Sequence, residues 1–158
     1  PGPSADGLLQ LVLVAPAGSN RAAGSNGGLD LLRLLGGGRL AIADPDHVPA
    51  GLYAKAALGR MGLWRDLAGR LARMMDVRAA LALAERGEVP AAMVYASDAH
   101  ANARVHVVHR FPADSHPPIV YPAAILAGRA RPGVEAFFAF LASPKAGTVF
   151  SRFGFTAR

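Results

Sequence analysis

The sequence predicts an α/β protein with a mainly parallel sheet covered by helices. Three observations carry this. Short apolar runs of strand length recur along the chain: "LLQLVLVA", "LAIA" and "AAMVY". They are continuous rather than alternating, as strands buried on both faces are. Capped helical patterns separate them nearly throughout, which is the signature of strand–helix units. The 158 residues are 52% apolar and 18% charged, a balance that supports a buried core and excludes wholesale disorder.

Pro1 to Gly7 reads as a loose end. Leu8 to Ala15 reads as one strand, ended by Pro16. Ala17 to Gly28 is rich in Gly, Ser and Asn without apolar period, and reads as a surface loop. Asp30 is placed to cap "LLRLL", which Gly36 to Gly38 terminate. Those glycines lack the lysine of a phosphate loop and the spacing of a dinucleotide fingerprint. Leu40 to Ala43 follows as a strand. A helix is expected over Leu52 to Met61, closed by Gly62. A second is expected around Leu63 to Ala72, with Trp64 packed on the first. Asp76 is an N-cap for Val77 to Arg86, where Val77, Ala80, Leu81 and Ala84 share a face.

Gly87 ends that helix, and Ala91 to Tyr95 is the next buried strand. A short helical turn starts at Ser97 or Asp98. Arg104 to His109 is a strand with Val105 and Val107 on one side and His106 and Val108 on the other. Pro118 to Ala127 holds a further strand. Arg131 to Leu141 is a helix with Val134, Phe137, Phe138 and Leu141 on one stripe. Ser143 caps a last helix, Pro144 suits its first turn, Val149, Phe150 and Phe153 are expected to bury it, and Gly154 closes it.

Composition narrows the function classes. There is no cysteine, so disulfides and thiolate metal sites are excluded. The formal charge is +6, but the basic residues form no block, so nucleic acid is not an expected partner. No apolar run reaches membrane-span length. "PGPSADG" lacks the basic region and apolar core of a secretory signal peptide. His47, His100, His106, His109 and His116 show no metal-ligand spacing and read as surface histidines. Asp44 and Asp46 lie in a Pro-rich turn and read as turn residues rather than an acid–base pair. No serine sits in a nucleophile elbow. Neither a catalytic residue, a metal ligand nor a cofactor is expected, and the chain is not expected to be an enzyme.

In α/β sheets, ligands gather where strand ends meet helix starts. Three starts qualify: Ala50–Gly51, Asp76–Val77 and Tyr95–Ser97. Helix starts offer main-chain donors and partial positive charge, and a tyrosine hydroxyl can donate beside them. Inward-pointing neutral donors make an oxyanion site. Lys55 and Arg78, on the same two helices, could steer an anion or simply occupy a solvated face.

The segments "LVLVAP", "GGGRLAIADPDHVPAGLYAKAAL", "VRAALALAERGE", "VYASDA", "FPADSHPPIVYPAAIL" and "FFAFLASPKAGTVFSRFGF" together resemble the periplasmic molybdate-binding proteins of ABC importers. The resemblance implies a type II periplasmic binding protein fold of two α/β lobes, with molybdate or tungstate held by neutral donors. Carried over by motif, those donors are the backbone N–H of Ala50 in "VPAG", the backbone N–H of Val77 in "DVRAAL" and the hydroxyl of Tyr95 in "VYASDA". The resemblance also implies a periplasmic location and delivery to the importer's membrane permease. It departs in one respect. Family members carry a segment before "LVLVAP" with a first strand and two serine-bearing loops, and Ser4, Ser19 and Ser25 do not match those motifs. The expected organisation is therefore one complete lobe over 16–110 and one incomplete lobe. The complete lobe is the second; the incomplete first lobe comprises 1–15, a crossing strand and N-terminal remnant, and 111–158, a crossing segment and C-terminal helices. Exposed apolar surface on the incomplete lobe is expected to drive self-association, with weak oxyanion binding or none as the alternative outcome.

Overall fold

A computed structural model describes residues 7–20 and 29–157. The expected loose end before Gly7 and most of the Gly/Ser/Asn loop, 21–28, lie outside the described residues. The chain forms two compact units. The larger is Gln10–Pro117; the smaller joins the segment up to Leu9 with the segment from Pro118 onward.

The larger unit is built on five strands: β2 (Leu11–Pro16), β3 (Leu40–Ala43), β4 (Leu71–Met74), β5 (Ala91–Tyr95) and β6 (Val105–Arg110). β1 (Gly7–Leu9) belongs to the other unit. The single strand expected over Leu8 to Ala15 is thus two strands in two sheets, split at Gln10. The apolar run continues through the break, so no residue type marks it.

The strand order is β4-β3-β5-β2-β6. β3 runs parallel to β4 and β5, whereas β2 runs antiparallel to β5 and β6. The sheet is mixed, not mainly parallel. Apolar continuity reports burial on both faces but not direction, and β2 enters at the edge where β5 ends, with Leu11 opposite Tyr95. β6 bulges against β2 between Leu13 and Val14.

Helices α1 (Leu31–Leu35), α2 (Pro49–Arg60), α3 (Trp64–Leu67), α4 (Val77–Glu85) and α5 (Ala96–His100) surround this sheet. Asp30 caps α1 as expected, its carboxylate accepting from the Arg33 N–H at 3.0 Å. α4 lays Ala80, Leu81 and Ala84 on Val12, Val14, Ala41, Ala92 and Val94. Alternation sends Leu11, Leu13, Leu40, Ile42 and Met93 to the opposite face, where all are buried. α2 contacts β3 and β5.

The helix expected over Leu63 to Ala72 is a correction. It is the single turn α3, a 3-10 turn at Ala68–Arg70, and then β4. Four residues are too few to show either period, and the parallel edge of β3 decides between them. Trp64 does pack on α2, with the Lys55 ammonium 5.5 Å from its ring.

The smaller unit has β1 between β7 (Ile119–Tyr121) and β8 (Phe155–Ala157), antiparallel to both. β8 was not expected: it is three residues long and follows the turn at Gly154. Helices α6 (Pro132–Leu141) and α7 (Pro144–Arg152) complete the unit. Ser143 caps α7 from Oγ to the Ala146 N–H at 3.3 Å. The burial expected of these helices is not found. α6 has no fully buried residue. Val134, Phe137, Val149 and Phe153 are exposed, and Phe138, Leu141 and Phe150 are half-buried. The helical periodicity is correct, but the described residues leave the stripe largely uncovered.

Candidate functional site

β4, β3 and β5 are neighbours and run the same way, so their C-terminal ends share one edge of the sheet. β4 leads to the start of α4 at Val77, and β3 leads to the start of α2 at Pro49 and Ala50. β5 ends on Tyr95, the N-cap of α5. Adjacent strands lie about 4.8 Å apart. The topology therefore gathers Val77, Ala50 and Tyr95 along three consecutive strand ends.

Each donor is held by a local device. α2 starts at Pro49, three residues before the expected Leu52, with Val48 as its N-cap. Pro49 fits the first turn because that position needs no N–H bond. Among the described residues no hydrogen bond engages the N–H of Ala50 or Gly51. Ala50 is 4% exposed. Asp44 shapes the approach: its Oδ1 accepts from the Asp46 N–H at 2.9 Å and its carbonyl from the Val48 N–H at 3.0 Å. The Asp44 N–H donates to the Met74 carbonyl at 2.8 Å, which locks the end of β3 to the end of β4. Both aspartates are turn residues, as expected.

Gly51 sets how closely α2 approaches the sheet. A Cβ there would lie 2.2 Å from the Asp44 carbonyl oxygen and 2.3 Å from that of Ala43. Only glycine allows the helix start to sit on the end of β3.

Val77 opens α4. Asp76 caps it through the Ala79 N–H at 2.7 Å, leaving the N–H groups of Val77 and Arg78 unengaged among the described residues. Tyr95 is 7% exposed. Its N–H donates to Asp98 Oδ2 at 3.1 Å, and the next N–H, of Ala96, donates to the Gln10 carbonyl at 2.8 Å. Burial pushes the Asp98 carboxyl above its usual range, opposed by the Tyr95 N–H and by the charge of Arg78. Arg78 thus acts on Asp98, within the turn that carries Tyr95.

Lys55 is not a lone solvated cation. Its ammonium is 2.8 Å from Asp46 Oδ1, and Arg73 Nη1 is 2.9 Å from Asp46 Oδ2. The sequence reading missed this bridge, because it placed no strand at Arg73 and so nothing to bring it beside Asp46. His116 is also a correction: it is 6% exposed, not a surface histidine. Its Nδ1–H donates to the Pro117 carbonyl at 2.8 Å, and its ring meets Tyr53 of α2 edge-on at 5.9 Å. No cluster of metal-ligating side chains occurs among the described residues.

A cavity of about 450 Å³ opens where β3 and β5 begin, lined by Pro16, Gly36, Gly37, Gly38, Gly87 and Pro90, among others. It lies at the opposite edge from the three donors. Arg70 stiffens its wall by donating to the carbonyls of Gly36 and Gly38. Apart from Glu88, which Arg86 holds in an ion pair, no charged side chain among the described residues lines it. The donor chemistry therefore belongs to the other edge.

The family model for bacterial extracellular solute-binding proteins matches residues 7–156. The chain belongs to this family. This solute-binding protein is 51% identical to the molybdate-binding protein ModA of Escherichia coli over 79% of its own length and 49% of the relative's. It is 43% identical to the molybdate-binding protein ModA of Haemophilus influenzae over 94% of its own length and 58% of the relative's. It spans about half the length of the curated relatives it matches. Among solved structures, it matches a substrate-binding domain assigned to a molybdenum ABC transporter from Clostridium difficile. The TM-score is 0.82 at 27% identity, over 97% of this chain and 66% of that one. It matches the Azotobacter vinelandii periplasmic molybdate-binding protein at TM-score 0.68 and 19% identity, over 96% of this chain and 68% of that one. The second likeness bears on fold alone. Together they agree with the expected type II periplasmic binding protein fold class, and family membership agrees with a binding protein rather than an enzyme.

Proposed function

We propose that this solute-binding protein binds molybdate or tungstate through the backbone N–H groups of Ala50 and Val77 and the hydroxyl of Tyr95. The observation that carries the reading is the run of three consecutive strand ends, each ending in one of these donors. Two are main-chain N–H groups at helix starts, unengaged among the described residues, where partial positive charge favours an anion. The similarity to molybdate-binding proteins supports the choice of oxyanion. It also supports a periplasmic location and delivery to the permease of an ABC importer.

Fixed neutral donors select by size. A smaller tetrahedral anion leaves some of them unpaired, at a cost. Calorimetric titration should therefore give competing binding of molybdate and tungstate, with sulfate much weaker. Tyr95→Phe keeps the ring and removes one hydrogen bond to a charged ligand, worth about 1.5–3 kcal/mol. Molybdate affinity should fall by about 10- to 150-fold. Equal affinity for sulfate, or an unchanged Tyr95→Phe, contradicts the reading.

A second reading concerns the smaller unit. Its helices carry Val134, Phe137, Phe140, Val149 and Phe153 exposed. That face supports 1–15 and 111–158 being parts of an incomplete lobe, beside a complete one over 16–110. On this reading the face brings two copies of the chain together, and oxyanion binding through Ala50, Val77 and Tyr95 alone is weak.

A further inference from the structure

We infer that Asp46 governs how fast an oxyanion is captured, by clamping Lys55 and Arg73 at the rim of the donor edge so that their charge is partly cancelled. This rests on the oxyanion reading above. One carboxylate engages both cations, Oδ1 with Lys55 and Oδ2 with Arg73. The three groups come from three places: the turn before α2, the second turn of α2 and the end of β4. Both cationic side chains reach toward the turn that delivers Ala50, the edge where Val77 also lies. Lys55 is further held by the face of Trp64.

The three side chains are each partly exposed. Exposed ion pairs add little to stability, so a structural purpose alone explains the arrangement poorly. Their field is another matter. Charges at the mouth of an anion site change association rate and its salt dependence more than the final fit. The trio sums to one positive charge, and Asp46→Asn would leave two. The bridge also holds the Asp46 carboxyl below its usual range, first through the Lys55 hydrogen bond.

The test is the association rate of molybdate by stopped flow, at about 10 mM and about 0.5 M salt, where the screening length falls from about 30 Å toward a few Å. Asp46→Asn should associate about three- to tenfold faster than wild type at low salt and equally at high salt. Asp46→Glu should restore the wild-type rate. Lys55→Met, a second arm with the opposite sign, should be slower at low salt only. A purely structural bridge would lower the melting temperature of Asp46→Asn without a salt-dependent gain in rate, and that result overturns the inference. If wild type binds no molybdate, the oxyanion reading fails and the inference falls with it. If wild type binds and Asp46→Asn is no faster at low salt, the inference alone fails.

Discussion

Gly51→Ala is expected to damage fold and binding together. The added methyl group would sit 2.2 and 2.3 Å from two backbone carbonyl oxygens, those of Asp44 and Ala43. Neither oxygen is the end of a flexible side chain. The helix α2 must therefore move off the sheet, and strain of this kind costs about 1–3 kcal/mol. The same shift carries Ala50 away from Val77 and Tyr95, so a ligand that needs all three loses at least one charge-assisted hydrogen bond. Molybdate affinity should fall by about tenfold or more. Thermal unfolding followed by titration reads both effects. Gly59→Ala is the control, because a Cβ at Gly59 meets open space within the same helix. It should leave affinity unchanged and stabilise slightly, since alanine outranks glycine in a helix interior.

The second large effect is association. Phe137 is 61% exposed and Phe153 53%, with Val134, Phe140 and Val149 exposed beside them. On α6, Val134, Phe137 and Phe140 recur every three residues, and the rings of Phe137 and Phe140 stack at 6.4 Å. Each large aromatic carries about 150–250 Å², so this surface reaches several hundred Å². At 41–61% exposure that rivals the largest patches of ordinary monomers and is about half of the roughly 800 Å² per partner of a standard interface. Sedimentation at about 10 μM should show dimers or larger species. Phe137→Ser with Phe140→Ser should return the protein to monomer while leaving molybdate affinity unchanged. A monomer at ten times that concentration would contradict the association reading.

Much of the larger unit was legible in the sequence because its signals are local. Asp30 and Asp76 cap the helices they were expected to cap, and "LAIA" and "AAMVY" are strands buried throughout. What was not legible depends on partners distant in the chain. "LARM" becomes β4 only because β3 offers it a parallel edge. The break at Gln10 and the three-residue β8 exist because β1 must pair with β7 and β8 in a separate sheet. The direction of β2 leaves no trace in residue type. The same division holds at the candidate site. The helix starts at Ala50 and Val77 and the strand end at Tyr95 show in Pro, Asp and apolar patterning. The close approach at Gly51 and the bridge from Asp46 to Arg73 do not, because each joins residues that only the folded sheet brings together.

On the proposed reading, main-chain N–H groups at two helix starts hold the oxyanion. Amide resonances in a two-dimensional ¹H–¹⁵N spectrum test it most directly, residue by residue, as molybdate is added. The largest shifts should fall on Ala50, Gly51, Val77 and Arg78, with Tyr95 and Ala96 following. The amides of Gly36 to Gly38, at the opposite edge, should stay in place. Shifts centred on Gly36 to Gly38 and Gly87, or none at Ala50 and Val77 at saturating molybdate, would contradict it.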